Sequence, residues 1–177
     1  VGLLSCQIFQ PNPNDPNKDL GGDGAAAIKW GADNGAVISQ NSWGYSFDRN
    51  HDGEVSGDEM KEALNATISA SDKAAVDYFE KYAGLDENGR QVGPMKGGLV
   101  IFAAGNEGRN TSSNDYEKVL TVTSVGADYK RAYYTCYGSY ADVIAPGGDA
   151  KKGNQVLSTI PGNKYAKMQG TSMACPH

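Results

Sequence analysis

Gly98-Leu99-Val100-Ile101-Phe102-Ala103-Ala104 is an unbroken apolar run, and it closes on Gly105-Asn106-Glu107-Gly108. A strand with one face in water alternates apolar and polar side chains, whereas a strand covered on both faces does not need to. The run therefore reads as a buried strand of a parallel sheet, ended by a tight glycine-bounded turn. Working outward, four more short apolar runs read the same way: Gly2–Phe9, Ala36–Asn41, Val119–Val125 and Val143–Ala145. Helical patterns lie between the first three strands. Gly24–Asn34 carries Ala25, Ala26, Ala27, Ile28 and Trp30 and stops near Gly35, as a helix should. Ser71–Ala83 places Ala75, Phe79 and Tyr82 at helical spacing, with Ser71 as the expected N-cap. Strand-helix-strand-helix-strand order implies an α/β fold, a parallel sheet flanked by helices in three layers. From Val119 onward the pattern is strand and turn. Asp15–Asp23, rich in Pro, Asn, Asp and Gly, reads as a loop.

The bulk numbers exclude several functions. The chain has 177 residues, enough for one domain with a real core. It carries 16 basic and 21 acidic residues, a net charge of −5, so no basic face for nucleic acid is expected. No apolar run approaches the roughly 18 residues that span a bilayer. No signal peptide is visible; Val1 opens directly on an apolar segment, which suggests a start inside a domain. Cys6, Cys136 and Cys175 form no Cys-x-x-Cys pair, and three cysteines cannot make a closed disulfide framework; they read as small buried hydrophobes, with one pairing left open.

The chemistry concentrates in Gly170-Thr171-Ser172-Met173-Ala174-Cys175-Pro176-His177. Ser172 sits in a Gly-Thr-Ser turn and opens what reads as the first turn of a helix, where backbone N–H groups and the helix dipole favour negative charge. This segment resembles the nucleophile motif of subtilisin-like serine proteases. Three further segments resemble the same family in the same order: Asn41-Ser42-Trp43-Gly44, then Leu99 through Gly108, then Asp142-Val143-Ile144-Ala145-Pro146-Gly147 followed by Ser158-Thr159-Ile160-Pro161-Gly162-Asn163. The resemblance covers nearly the whole chain. It implies that Ser172 is the nucleophile and that the Asn106 side-chain amide, with the Ser172 backbone N–H, meets the oxyanion of a scissile peptide. It also implies that Ser42-Trp43-Gly44 and Ala103-Ala104-Gly105 form two walls of the pocket before the scissile bond, where backbone groups take an extended polypeptide as an added strand. On the residues alone, Trp43 could instead be core, and Ala104-Gly105-Asn106-Glu107-Gly108 a turn with no chemistry. Family members often have a Tyr-Pro pair before the strand at Val119; Ser112-Ser113-Asn114-Asp115-Tyr116 has no proline, which leaves the pocket preference open.

A serine nucleophile needs a base oriented by a carboxylate, which the family supplies in the chain order Asp, His, Ser. Neither His51 nor His177 sits in a motif that resembles the family's base, and none of the five runs read as strands ends in Asp-x-Gly. Gly2–Phe9 resembles the strand after the catalytic His helix. The chain is therefore expected to be an incomplete catalytic domain, with the Asp and His segments preceding Val1 and the rest of the nucleophile helix following His177. In the family the Asp-bearing strand lies between those matching Gly2–Phe9 and Ala36–Asn41, so one of three outcomes is expected: the two strands close up and pair directly, a second copy supplies a strand, or the N-terminal segment detaches; self-association, or pairing with another polypeptide such as the missing N-terminal segment of the same enzyme, is favoured.

Asp48 through Glu59 fits the EF-hand loop pattern. Oxygen donors stand at Asp48, Asn50, Asp52, Ser56 and Glu59, Gly53 takes the sharp turn, and Glu54 offers its carbonyl. This points to Ca2+ held by Asp48, Asn50, Asp52, Glu54 and Glu59 in an insertion over about 45–70, with residues 60–70 as an exiting helix. The alternative is a solvated acidic turn. Taken together, the sequence predicts a serine endopeptidase, extracellular or in the cell envelope by family resemblance, and inert as the isolated chain. The rival is a non-catalytic module that binds peptides or calcium.

Overall fold

The computed structural model describes residues 2–19, 21–44, 56–110 and 116–177. In chain order its elements are β1 (Pro11–Asn12), β2 (Asp15–Asp19), α1 (Gly24–Asp33), β3 (Ile38–Asn41), α2 (Gly57–Leu64), α3 (Ala70–Tyr82), β4 (Leu99–Ala103), β5 (Val119–Val125), β6 (Val143–Pro146), β7 (Val156–Ile160), β8 (Lys164–Met168) and α4 (Thr171–Ala174). The fold is α/β, with a central parallel sheet of order β3-β4-β5-β6 flanked by helices. β5 and β6 run parallel, from Val122 opposite Val143 to Val125 opposite Pro146. β7 and β8 form an antiparallel hairpin leading into α4.

The chain divides into two compact units, residues 1–39 with 69–100 and residues 40–68 with 101–177. In the first, α1 packs on α3, with Ile28, Ala32, Ala75, Val76, Phe79 and Ala83 buried. Asp23 caps α1 by accepting the Ala26 N–H at 2.9 Å. Asp33 then ties the helices together: it accepts from Lys29 at 2.8 Å and from the Tyr78 hydroxyl at 2.6 Å. The N-cap of α3 is Ser69 rather than Ser71. The helix begins at Ala70, so it is the Ser69 hydroxyl that reaches the Asp72 N–H, at 3.0 Å.

In the second unit, α4 packs on β5 and β6, and Ala103, Val122, Ala145, Ala174 and Cys175 form its core. A neighbouring cluster joins Ala104, Cys136 and Tyr140. Six of the seven residues of β5 are buried, Thr121, Thr123 and Ser124 among them, as expected of a strand covered on both faces.

Two expectations about the N-terminal region fail. Gly2–Phe9 forms no strand and is almost wholly exposed. No described strand runs beside it, and a lone extended segment has nothing to satisfy its backbone groups except water. Asp15–Asp23, expected as a loop, instead contributes β2, which pairs antiparallel with β1 across a turn at residues 13–14. Among the cysteines, Cys136 and Cys175 are buried as expected, but Cys6 is exposed; all three are free thiols.

Candidate active site

Ser172 sits in the first turn of α4, behind Gly170 as N-cap. Gly170 has φ +151°, and a Cβ there would stand 3.6 Å from Asn106 Oδ1 and 3.7 Å from the Ser172 nitrogen. Those are ordinary contacts, so it is the backbone angle and not a lack of space that calls for glycine. Ser172 and Ser42 exchange hydrogen bonds: the Ser42 hydroxyl donates to the Ser172 carbonyl at 2.9 Å, and the Ser172 hydroxyl donates to the Ser42 carbonyl at 3.3 Å. Among the described residues no imidazole or carboxylate bonds the Ser172 hydroxyl. His177 is exposed, with its backbone N–H on the Ala174 carbonyl, and His51 lies outside the described residues.

Asn106 lies just past the end of β4, and its amide has a fixed orientation. Its Oδ1 accepts from the Thr171 backbone N–H at 2.8 Å and from the Thr171 hydroxyl at 3.0 Å. Thr171 is fully buried, and its hydroxyl oxygen also accepts from the Gly105 N–H at 3.2 Å. With Oδ1 so held, Nδ2 must face outward as a donor. Among the described residues nothing accepts from Asn106 Nδ2 or from the Ser172 N–H. The structure thus brings Ser172, Asn106 and Ser42 together. Thr171, the residue that orients Asn106, stands inside the Gly-Thr-Ser motif, but its role had no sequence signal apart from that position.

The two candidate walls differ. Trp43 is half-buried, its ring edge-on to Phe102 at 5.0 Å between centroids, and Gly44 is exposed. Ala103 and Ala104 turn their side chains into the core. Several of the backbone groups there already have partners: the Ala104 N–H donates to Val122, and the Gly105 carbonyl accepts from Cys136. Asn41 anchors the end of β3, donating from its side chain to the Ile101 carbonyl at 3.1 Å.

Beneath the Asn106 turn, the Cys136 thiol donates to Glu107 Oε2 at 3.0 Å. Burial first, and this bond second, push the thiol up to about 11. Burial likewise raises the Cys175 thiol and, together with nearby Asp149 and Tyr133, the Tyr134 phenol.

Of the residues matching a calcium loop, Asp48, Asn50, Asp52 and Glu54 lie outside the described residues. Glu59 is described, and it closes the start of α2. Its carboxylate accepts from the Ser56 N–H at 2.9 Å and the Ser56 hydroxyl at 2.8 Å, while the Ser56 hydroxyl accepts from the Glu59 N–H at 3.2 Å. This is a capping box, Ser-x-x-Glu, a pattern legible in Ser56-Gly57-Asp58-Glu59 that the calcium reading had passed over. The exiting helix is Gly57–Leu64, not 60–70. Among the described residues no group of three or more His, Cys, Asp or Glu side chains could hold a metal, and no helix is long and apolar enough to cross a membrane.

The sequence model of the Subtilase family matches residues 2–177. The chain belongs to the Subtilase family, the subtilisin-like serine proteases. It is 37% identical over 140 residues to a thermophilic serine proteinase of Bacillus sp. (strain AK1), covering 75% of this chain and 32% of that protein. It is 38% identical over 86 residues to an intracellular serine protease of Paenibacillus polymyxa, covering 45% of this chain and 24% of that protein. Among solved structures, a protease from Pseudoalteromonas arctica PAMC 21717 superposes with a TM-score of 0.60 at 29% identity, covering 88% of this chain and 44% of the other. The chain spans about a third or less of the length of these curated relatives.

Proposed function

We propose that this chain is part of a serine endopeptidase that hydrolyses peptide bonds through an acyl-enzyme on Ser172, and that the 177 residues alone are inert. The observation that carries the reading is the pair of unpartnered donors, Asn106 Nδ2 and the Ser172 N–H, on either side of the Gly170 turn. Attack by the Ser172 oxygen on a scissile carbonyl carbon turns the carbonyl oxygen into an oxyanion, and donors fixed in advance stabilise it without reorganising. The Ser172 proton must pass to a base and then to the leaving amine; water then hydrolyses the ester. In the resting arrangement that proton points at the Ser42 carbonyl. We assign the base and its orienting carboxylate to polypeptide outside these residues. Ser42-Trp43-Gly44 and Ala103-Ala104-Gly105 are proposed as the walls of the substrate cleft, and an extended polypeptide as the substrate. We also propose an extracellular or cell-envelope location, as for many but not all of the family, to be checked by fractionating the producing cells.

The test is covalent labelling with a serine-reactive phosphonate. The full-length enzyme that contains this chain is expected to label stoichiometrically, the Ser172→Ala variant not at all, and the isolated chain only marginally. Labelling that persists in Ser172→Ala would remove Ser172 from the mechanism.

A further inference from the structure

The Tyr134 hydroxyl lies at the junction of the segments that hold the Ser172 turn in place. It is 2.7 Å from Ser124 Oγ, 2.9 Å from the Gly147 carbonyl, 2.7 Å from the Gly148 carbonyl and 3.0 Å from the Gly170 nitrogen. A phenol has one proton and two lone pairs. The Gly170 N–H fills one lone pair, the Ser124 hydroxyl the other, and the single proton is shared between two adjacent carbonyls. The group is saturated and buried. Its four partners come from three parts of the second unit. Ser124 is within β5 and itself fully buried. Gly147 and Gly148 follow β6, with both N–H groups on the Val125 carbonyl, at 3.1 and 3.2 Å. Gly170 is the N-cap of α4 and also donates to the Gly147 carbonyl at 3.0 Å. The approach is close: a Cβ on Gly147 would lie 2.5 Å from the Gly170 carbonyl oxygen and well inside Ser124 Oγ.

We propose that Tyr134 is a positioning residue that locks the Gly170–Ser172 turn to the end of β5 and thereby sets where the nucleophile and its backbone N–H stand. The inference rests on the reading of Ser172 as nucleophile. Tyr134 touches neither Ser172 nor the candidate walls, so it acts through Gly170. Nothing in the Tyr133-Tyr134 dipeptide marks one ring as structural and the other as a hub; Tyr133, half-exposed, accepts only from Gln169 through its hydroxyl.

The variant is Tyr134→Phe in the full-length enzyme that contains this chain. It keeps the ring and removes only the hydroxyl. Two readouts are taken. In peptide hydrolysis, kcat per folded enzyme is expected to fall about tenfold with KM nearly unchanged, because a displaced nucleophile costs rate rather than substrate affinity. In amide hydrogen exchange, the Gly170 and Thr171 N–H groups are expected to exchange about tenfold faster than in the wild type while β5 amides stay protected. Ser124→Ala, which removes one partner and leaves the phenol, is expected to show a smaller change in the same direction and serves if Tyr134→Phe does not fold. Unchanged kcat, or unchanged exchange at Gly170, overturns the proposal. A wild type without hydrolysis or phosphonate labelling would sink the protease reading instead, and the exchange measurement, which needs no activity, would still decide whether Tyr134 holds the turn.

Discussion

Replacing Cys136 with alanine should flatten the alkaline limb of stability. In the folded chain this thiol is completely buried and donates a hydrogen bond to Glu107, and its titration moves from 9.0 to about 11. A group whose pKa is raised on folding contributes stability that is fully present below the unfolded value and is lost as pH rises through the folded one. The window is therefore pH 9 to 11. The linkage relation gives RT ln[(1 + 10^(pH − pKa,U))/(1 + 10^(pH − pKa,N))], which is about 0.1 kcal/mol at pH 8 and about 2.3 kcal/mol at pH 11. Urea unfolding in the presence of reductant, at half-unit steps from pH 8 to 11, measures it for the wild type and for Cys136→Ala. Titrating groups other than Cys136 are common to both proteins, so their contributions cancel in the difference of slopes. The wild type should lose about 2 kcal/mol more than the variant across the window. Parallel curves would refute the reasoning, because they would mean that the Cys136 proton is no harder to remove in the folded chain than in the unfolded one.

Further outcomes are expected elsewhere. Asn106→Ala in the full-length enzyme should lower kcat by the worth of a hydrogen bond to a charged group, about 1.5–3 kcal/mol, with KM little changed; a pure KM effect would end the oxyanion role. Thr171→Val keeps the volume but removes the hydroxyl that joins Asn106 to Gly105, so it should destabilise by about 1–3 kcal/mol and lower kcat as well, seen by thermal melts and steady-state kinetics. Calcium bound by Asp48, Asn50, Asp52, the Glu54 carbonyl and Glu59 should give heat in titration calorimetry that Asp52→Ala abolishes; equal heats, or none from either protein, would leave an acidic surface turn. The isolated chain presents β3 at the end of the sheet order, and an open edge recruits strands; light scattering on a sizing column should find self-association, and a compact monomer would count against it.

The interior strands could be read from sequence because burial on both faces leaves a local signature. β5 was bounded correctly at Val119–Val125 from its apolar run alone. The same rule misled at Gly2–Phe9, since a run of apolar residues says that a segment can be buried but not that a neighbour is there to pair with it. Ser172, Asn106 and Ser42 were legible because each falls in a short contiguous motif. Thr171 and Tyr134 were not, because what they do depends on partners 65 and 36 residues away, Asn106 and Gly170 respectively. Glu59 shows a third case: one residue fitted two local patterns, a metal loop and a capping box, and the capping contact to Ser56 is the one that lies within the described residues.

The exchange of hydrogen bonds between Ser42 and Ser172 spans 130 residues of chain, and the Asn106–Thr171 bonds span 65. Contacts at such separation are closed late, after the loops between them have been ordered. Synthesis as far as Val100 has produced β3 and only the first two residues of β4, and neither the donor at Asn106 nor the turn at Gly170. The machinery around the serine has no partial form: until the last segment of this chain docks against Ser42, the other parts line nothing. In a protein read as a protease, that order of assembly delays reactivity until the surface that would otherwise be cut has already been folded away.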